Sequence, residues 1–486
     1  MVFSSHVFLF YFLPVVLLLN YTLPFRFLTL MLMLASYLFY GWANPKWIVL
    51  LLTTTLVDYF CGLALVHYSG LPPTSSGELP VLPLGEPRNR LQKMALALSI
   101  CTNLTMLSVF KYYDFGLANL NSLAAAFGQS PLPISMLHVA LPIGISFYTF
   151  QSMSYAIDIY RGEARPLRNP IDFACFVALF PHQLAGPIIR YRSIADQIRH
   201  REFSWEKFAR GAAFISLGMG KKILLANPMA HIADNAFAAA SIFWYDAWYG
   251  LIAYAFQIYF DFSAYSDMAI GLALLLGFLF IENFNDPYRA HSITDFWRRW
   301  HISLSNWLRD YLYVPLGGNR LGSARTYFNL FTVMLLGGLW HGASWNFVVW
   351  GAIHGAMLAV ERAQGKQSFY RMLHEPIRIA ITFLIVCVGW VFFRADSLPA
   401  ALHYLRSLVS ANSVSSTALL LKAVIHTPYH LAIFSLCAII VWTMPRTWTF
   451  TQQLTGRRAV LCLATLVFSI LLMWTQSTNP FLYYQF

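Results

Sequence analysis

Charge is what this sequence has least of. Only 11% of its 486 residues are Asp, Glu, Lys or Arg, where a soluble domain carries roughly 25%. That deficit excludes a soluble globular enzyme. With 58% hydrophobic residues spread from end to end, it predicts an all-α integral membrane protein, one polytopic domain over 1–486. Cysteine is also sparse. Cys61, Cys101, Cys175, Cys387, Cys437 and Cys462 stand singly in apolar segments, with no CxxC and no Cys/His metal spacing, so they read as small core residues and no structural metal is expected. No internal repeat is visible, and a transporter built from two related halves would carry one. The apolar run Val7–Leu19 has no basic region before it and no small-residue cleavage site after it. It therefore reads as an uncleaved first span.

The remaining charge is informative because it is rare. The net charge is +12, and basic residues flanking spans mark the cytoplasmic side. With an external, periplasmic N-terminus, Arg26, Arg88, Arg90, Lys93 and the basic stretch Arg161 to Arg210 fall inside, against Lys46 and Lys111 outside. That asymmetry selects the orientation. Anionic lipid head groups are the expected partners of this basic surface, and nucleic acid is not. We expect 11–14 membrane segments around a central cavity, some of them re-entrant. The first spans are 7–19, 27–43, 47–68 and 91–110, with a Pro/Gly/Ser-rich loop at 70–90 and an amphipathic interfacial stretch at 115–128. The polar residues Ser146, Tyr148, Thr149, Gln151 and Asp158 suit a cavity wall better than a lipid face. The short run 171–189, basic on both flanks, is expected to enter and return, with His182 beside its breakers. Two apolar segments follow at 247–260 and 262–280, where Asp261 and Asp267 suggest pairing with arginine. Later spans fall near 377–393, 427–443 and 458–475.

The stretch from Asp295 to Gly355 organises the rest. Trp297, Trp300, His301, Leu304, Trp307, Leu308, Tyr311 and Leu312 recur at three- and four-residue steps and predict one amphipathic helix with His301 on its apolar stripe. From Phe328 to Val360 no charged residue occurs, a run longer than the roughly 20 residues of one span. It must break, and Gly337, Gly338 and Gly342 around His341 are the expected points. Broken helices in membranes line cavities, which places His341 at a cavity wall. His354 lies further along the same run.

Trp297-Arg298-Arg299-Trp300-His301 followed by Trp340-His341-Gly342 resembles the membrane-bound O-acyltransferases, in particular the bacterial alginate O-acetyltransferase branch. Leu141-Pro142-Ile143-Gly144-Ile145-Ser146-Phe147-Tyr148, Ala185-Gly186-Pro187, Tyr259-Phe260-Asp261-Phe262-Ser263 and Tyr311-Leu312-Tyr313 extend the resemblance over nearly the whole chain. It implies that His341 is the catalytic base, and that His301 stands where other branches carry Asn or Asp. It also implies acetyl transfer from acetyl-CoA, with no permanently bound cofactor, to an exported polysaccharide of the alginate or cellulose type. The site would lie in the bacterial inner membrane and would deliver directly or through a periplasmic acetyltransferase partner. Imidazole suits such chemistry because it titrates near neutrality and takes a hydroxyl proton during attack on a thioester. Lys221 and Lys222, with Arg298 and Arg299, are candidate contacts for the anionic donor. Tyr483, in the aromatic tail, is a candidate acyl relay, because a phenol ester is itself an acyl donor. Acylation of a wall polymer is the neighbouring alternative, and a polytopic transporter is the alternative from a different class.

Overall fold

A computed structural model describes the chain except residues 76, 138–139, 366–371, 411–415, 477–480 and 483–486, and the side chain of residue 416. Tyr483 lies outside the described residues. Among the described residues the regular structure is entirely helical. Helices are what a chain so poor in charge must form in lipid, because they satisfy every backbone N–H and C=O within one segment. Among the described residues five helices are long and apolar enough to cross a membrane: Trp47–His67, Arg90–Ala126, Trp244–Leu275, Glu375–Arg394 and Gly456–Met473. A sixth span arises if the pair Thr417–Ile425 and Pro428–Thr443, bent by 63°, counts as one. The protein is thus a polytopic helical membrane protein. Several expected segments are shorter than a full crossing, such as Phe8–Thr22 and Phe25–Gly41.

By its contacts the chain divides into two compact units, Met1–Phe208 with Leu272–Phe280, and Ala209–Gly271 with Ile281–Phe486. Within the first unit, the stretch expected to lie along the interface after residue 115 is continuous with the preceding span, as one helix Arg90–Ala126. Asp58 in Trp47–His67 accepts from Ser99 Oγ at 2.5 Å and from Asn103 Nδ2 at 2.8 Å, which ties two spans together. The run 171–189 does not form one span. Helix Pro170–Ala178 stops at Leu179, and a four-residue helix Phe180–Gln183 follows. His182 ends this turn with Nε2 on the Phe176 carbonyl oxygen at 2.9 Å, a structural role. Helix Ile145–Arg161 starts at Gly144, whose φ of 79° favours glycine. Its polar residues are packed rather than lining a cavity. Ser146, Tyr148, Thr149, Gln151 and Asp158 are all buried, and Thr149, for example, bonds the Ile145 carbonyl.

The two segments expected at 247–260 and 262–280 merge into one 32-residue helix, Trp244–Leu275, of which Trp244 to Gly271 belong to the second unit. Asp246 pairs with His426 at 2.6 Å near its start. The uncharged run Phe328 to Val360 folds as a hairpin, Ser323–His341 and Trp345–Gln364. Its break falls at Gly342, and Ser344 caps the second helix by accepting from the Asn346 N–H. Gly337 and Gly338 do not break the first helix. A Cβ on Gly338 would collide with the Phe347 carbonyl oxygen, so this glycine serves close packing of the two arms.

Candidate active site

The loop and short helices between Trp244–Leu275 and the hairpin carry the first half of the site. Helix Ile293–Arg299 is capped by Ser292, which accepts from the Asp295 N–H. The single amphipathic helix expected over Trp297–Leu312 is interrupted. Trp300 is extended, and His301 takes a left-handed conformation with φ 43° before helix Ile302–Leu308 begins. A non-glycine residue held there costs about 1–3 kcal/mol, an outlay that the surroundings must compensate. Asn283 supplies much of the compensation. Its backbone carbonyl accepts from the Ile302 N–H at 3.0 Å. Its side-chain Oδ1 accepts from the Ser303 N–H at 3.2 Å and from Ser303 Oγ at 2.9 Å. The same oxygen lies 3.2 Å from His301 Nδ1, and Asn283 Nδ2 donates to Ser266 Oγ at 3.0 Å.

His301 is fully buried. Its ring stands edge-on to Phe262 at 4.6 Å and to Trp340 at 6.1 Å, and burial pushes its pKa down to about 3. It is therefore neutral near pH 7. Its Nε2 has no hydrogen-bond partner among the described residues.

His341 is the last residue of the hairpin's first arm and is 5% exposed. It meets Trp340 at 5.0 Å, Trp350 at 5.2 Å and Phe393 at 5.2 Å, each ring edge-on. Trp340, next to His341 in the chain, thus has a ring contact with both histidines. His354, one arm further, accepts from Trp297 Nε1 at 3.3 Å through Nδ1 and packs on Trp350 at 4.9 Å. A cavity in the second unit lies beside Asn283. It measures about 10 Å³, is lined by Lys221, Ser266, Asp267, Glu282, Asn283 and Arg446 among others, and has room for one water.

The four basic residues expected at an anionic donor divide. Lys222 is 3% exposed and pairs with Asp261 at 2.5 Å, and Lys221 pairs with Asp267 at 2.7 Å. Both are internal counter-ions, not a landing surface, because two carboxylates on an apolar helix need cations nearby. The carboxylates take lysines where arginines were expected. Arg299 pairs with Asp295 at 2.9 Å. Arg298 is exposed and has no acidic partner among the described residues. Sequence reasoning missed Asn283. The signal was there in Glu282-Asn283-Phe284-Asn285-Asp286-Pro287, a polar cluster directly after a long apolar run.

Comparison with known proteins bears on this geometry. The membrane-bound O-acyltransferase family model matches residues 162–396, a window that contains Asn283, His301, His341 and His354. A probable alginate O-acetylase AlgI of Pseudomonas aeruginosa is 48% identical over 410 residues, covering 84% of this chain and 75% of the relative. One from Azotobacter vinelandii is 43% identical over 521 residues, covering 100% of both chains. A peptidoglycan O-acetyltransferase of Helicobacter pylori is 36% identical over 450 residues, covering 85% of this chain and 81% of the relative.

Proposed function

The chain belongs to the membrane-bound O-acyltransferase family, and from that premise we propose that it carries acetyl groups from cytoplasmic acetyl-CoA to an exported bacterial polysaccharide. The observation that carries the reading is the meeting of His301 and His341 on one indole, Trp340, inside a buried aromatic shell. Imidazoles so placed are expensive in a membrane protein unless they work.

In the proposed reaction His341 takes the proton of the acceptor hydroxyl as its oxygen attacks the thioester carbonyl carbon. The tetrahedral intermediate collapses, the C–S bond breaks, and coenzyme A leaves as thiolate and collects the proton. His301 holds the acceptor. Arg298, exposed and free of an acidic partner among the described residues, is the basic residue best suited to the donor's phosphates. Two relatives named as probable alginate O-acetylases support an alginate-type acceptor. In this reading delivery is direct or through a periplasmic partner, at the inner membrane, and the asymmetry of basic residues puts the N-terminus outside. The relative named as a peptidoglycan O-acetyltransferase supports a wall polymer as the second reading.

Membranes carrying the protein, supplied with acetyl-labelled acetyl-CoA and either alginate or peptidoglycan, test both readings. Label reaching alginate, and lost with His341→Ala, is the expected result. Label reaching only peptidoglycan selects the second reading. Label reaching neither, with folded protein present, ends both.

A further inference from the structure

Asn283 makes a contact that fixes its own orientation. A backbone N–H can only donate, and the Ser303 N–H points at one end of the Asn283 amide from 3.2 Å. That end is therefore the oxygen, and the other end, the NH₂, donates to Ser266 Oγ at 3.0 Å. The same oxygen faces His301 Nδ1 at 3.2 Å. Ser303 Oγ also lies 3.3 Å from Nδ1, but its single proton goes to the nearer Asn283 Oδ1 at 2.9 Å; neither oxygen then donates to Nδ1, so Nδ1 carries the ring proton. In a neutral imidazole the other nitrogen then holds the lone pair. That nitrogen, Nε2, is buried and unpartnered among the described residues.

We propose that Asn283 is a positioning residue that locks His301 in the Nδ1–H tautomer and makes Nε2 a fixed hydrogen-bond acceptor for the incoming acyl acceptor. The inference rests on the proposed placement of His301 at the reaction centre and narrows its role. A nitrogen with a lone pair and no proton cannot donate to an oxyanion. It receives a hydrogen bond from a hydroxyl of the acceptor and aligns that molecule for attack. Asparagine suits the task because its amide does not titrate, so the tautomer is held at any working pH. The left-handed turn contributes as well, since Ile302 and Ser303 close on Asn283 from the backbone side and leave the ring little freedom.

Histidine-¹⁵N-labelled protein in membranes reads the tautomer directly, with the His301 signal identified by its loss in His301→Gln. A protonated Nδ1 and bare Nε2 are expected; a protonated Nε2 overturns the proposal. Kinetics supply the second arm. Asn283→Leu is expected to lower acetyl transfer about 100-fold with the KM for acetyl-CoA unchanged. Asn283→Asp keeps an acceptor oxygen at Nδ1 and is expected to stay within about tenfold of the native rate. Equal loss in both variants, or native activity in Asn283→Leu, overturns the positioning role. If His301→Gln is itself fully active, the placement of His301 at the centre falls instead, which separates the two failures.

Discussion

Asp58 in the first unit and His301 in the second are both polar groups sunk among apolar helices, and they are treated in opposite ways. Both carboxylate oxygens of Asp58 are taken, one by Ser99 and one by Asn103, on a neighbouring span. The arrangement is closed and joins two helices. His301 is held from one side only, through Nδ1, while Nε2 is buried with no hydrogen-bond partner among the described residues. The difference teaches how to separate a polar group that builds from one that reacts. A builder spends its hydrogen-bonding capacity on the fold. A reactive group keeps some in reserve, and the protein bears the cost of leaving it dry.

The comparison is broken most severely at the reacting side. His341→Ala is expected to lower acetyl transfer by about 10³-fold or more while the protein remains folded in the membrane, as measured by transfer assay beside a thermal melt. Next in size is the ion pair that builds the second unit. Lys222→Met leaves Asp261 buried without its cation and is expected to cost about 3–5 kcal/mol of stability. The double variant Lys222→Met/Asp261→Leu should recover most of it. A raised KM for acetyl-CoA with unchanged stability would instead restore the landing-surface role expected from sequence. Asp58→Asn, which keeps one acceptor oxygen in the closed arrangement, is expected to cost about 1 kcal/mol and leave transfer unchanged. A large loss of transfer there would erase the distinction between the two kinds of polar group.

The last effect concerns acid. Burial lowers the His301 pKa to about 3, whereas in the unfolded chain an imidazole titrates near about 6.5. Below that value the unfolded state binds one more proton than the folded state. Stability therefore falls as pH drops from about 6.5 toward about 3, by at most about 1.4 kcal/mol per pH unit from this residue. His301→Asn should flatten that slope in melts taken between pH 6.5 and 5. An identical slope in both proteins would mean that His301 is charged when folded.

Much of the architecture was legible because lipid leaves the chain few options. The deficit of charge predicts helices, and the helices are there. The length of the uncharged run Phe328 to Val360 predicts a break, and a hairpin turn falls at Gly342. What periodicity could not show was backbone direction at a single residue. Trp297 to Leu312 has the spacing of one helix, yet His301 turns left-handed because Asn283, eighteen residues earlier, rewards that turn with bonds to three consecutive residues. Tertiary contacts overrode a correct local pattern. The lysines illustrate the same limit. Lys221 and Lys222 read as surface charge because their acids, Asp267 and Asp261, lie about forty residues away in sequence on another helix.

The bend at position 301 also restricts which amino acids can replace this histidine. Among side chains other than glycine, Asn, Asp and His are the ones that tolerate that backbone shape most readily. Asn and Asp are also the residues that the resemblance places there in other branches. The peptide geometry thus reduces an alphabet of twenty to a handful, each able to present a nitrogen or oxygen from the same spot. Diversifying the reaction at this position would need no rebuilding of the scaffold, only a choice among those few letters.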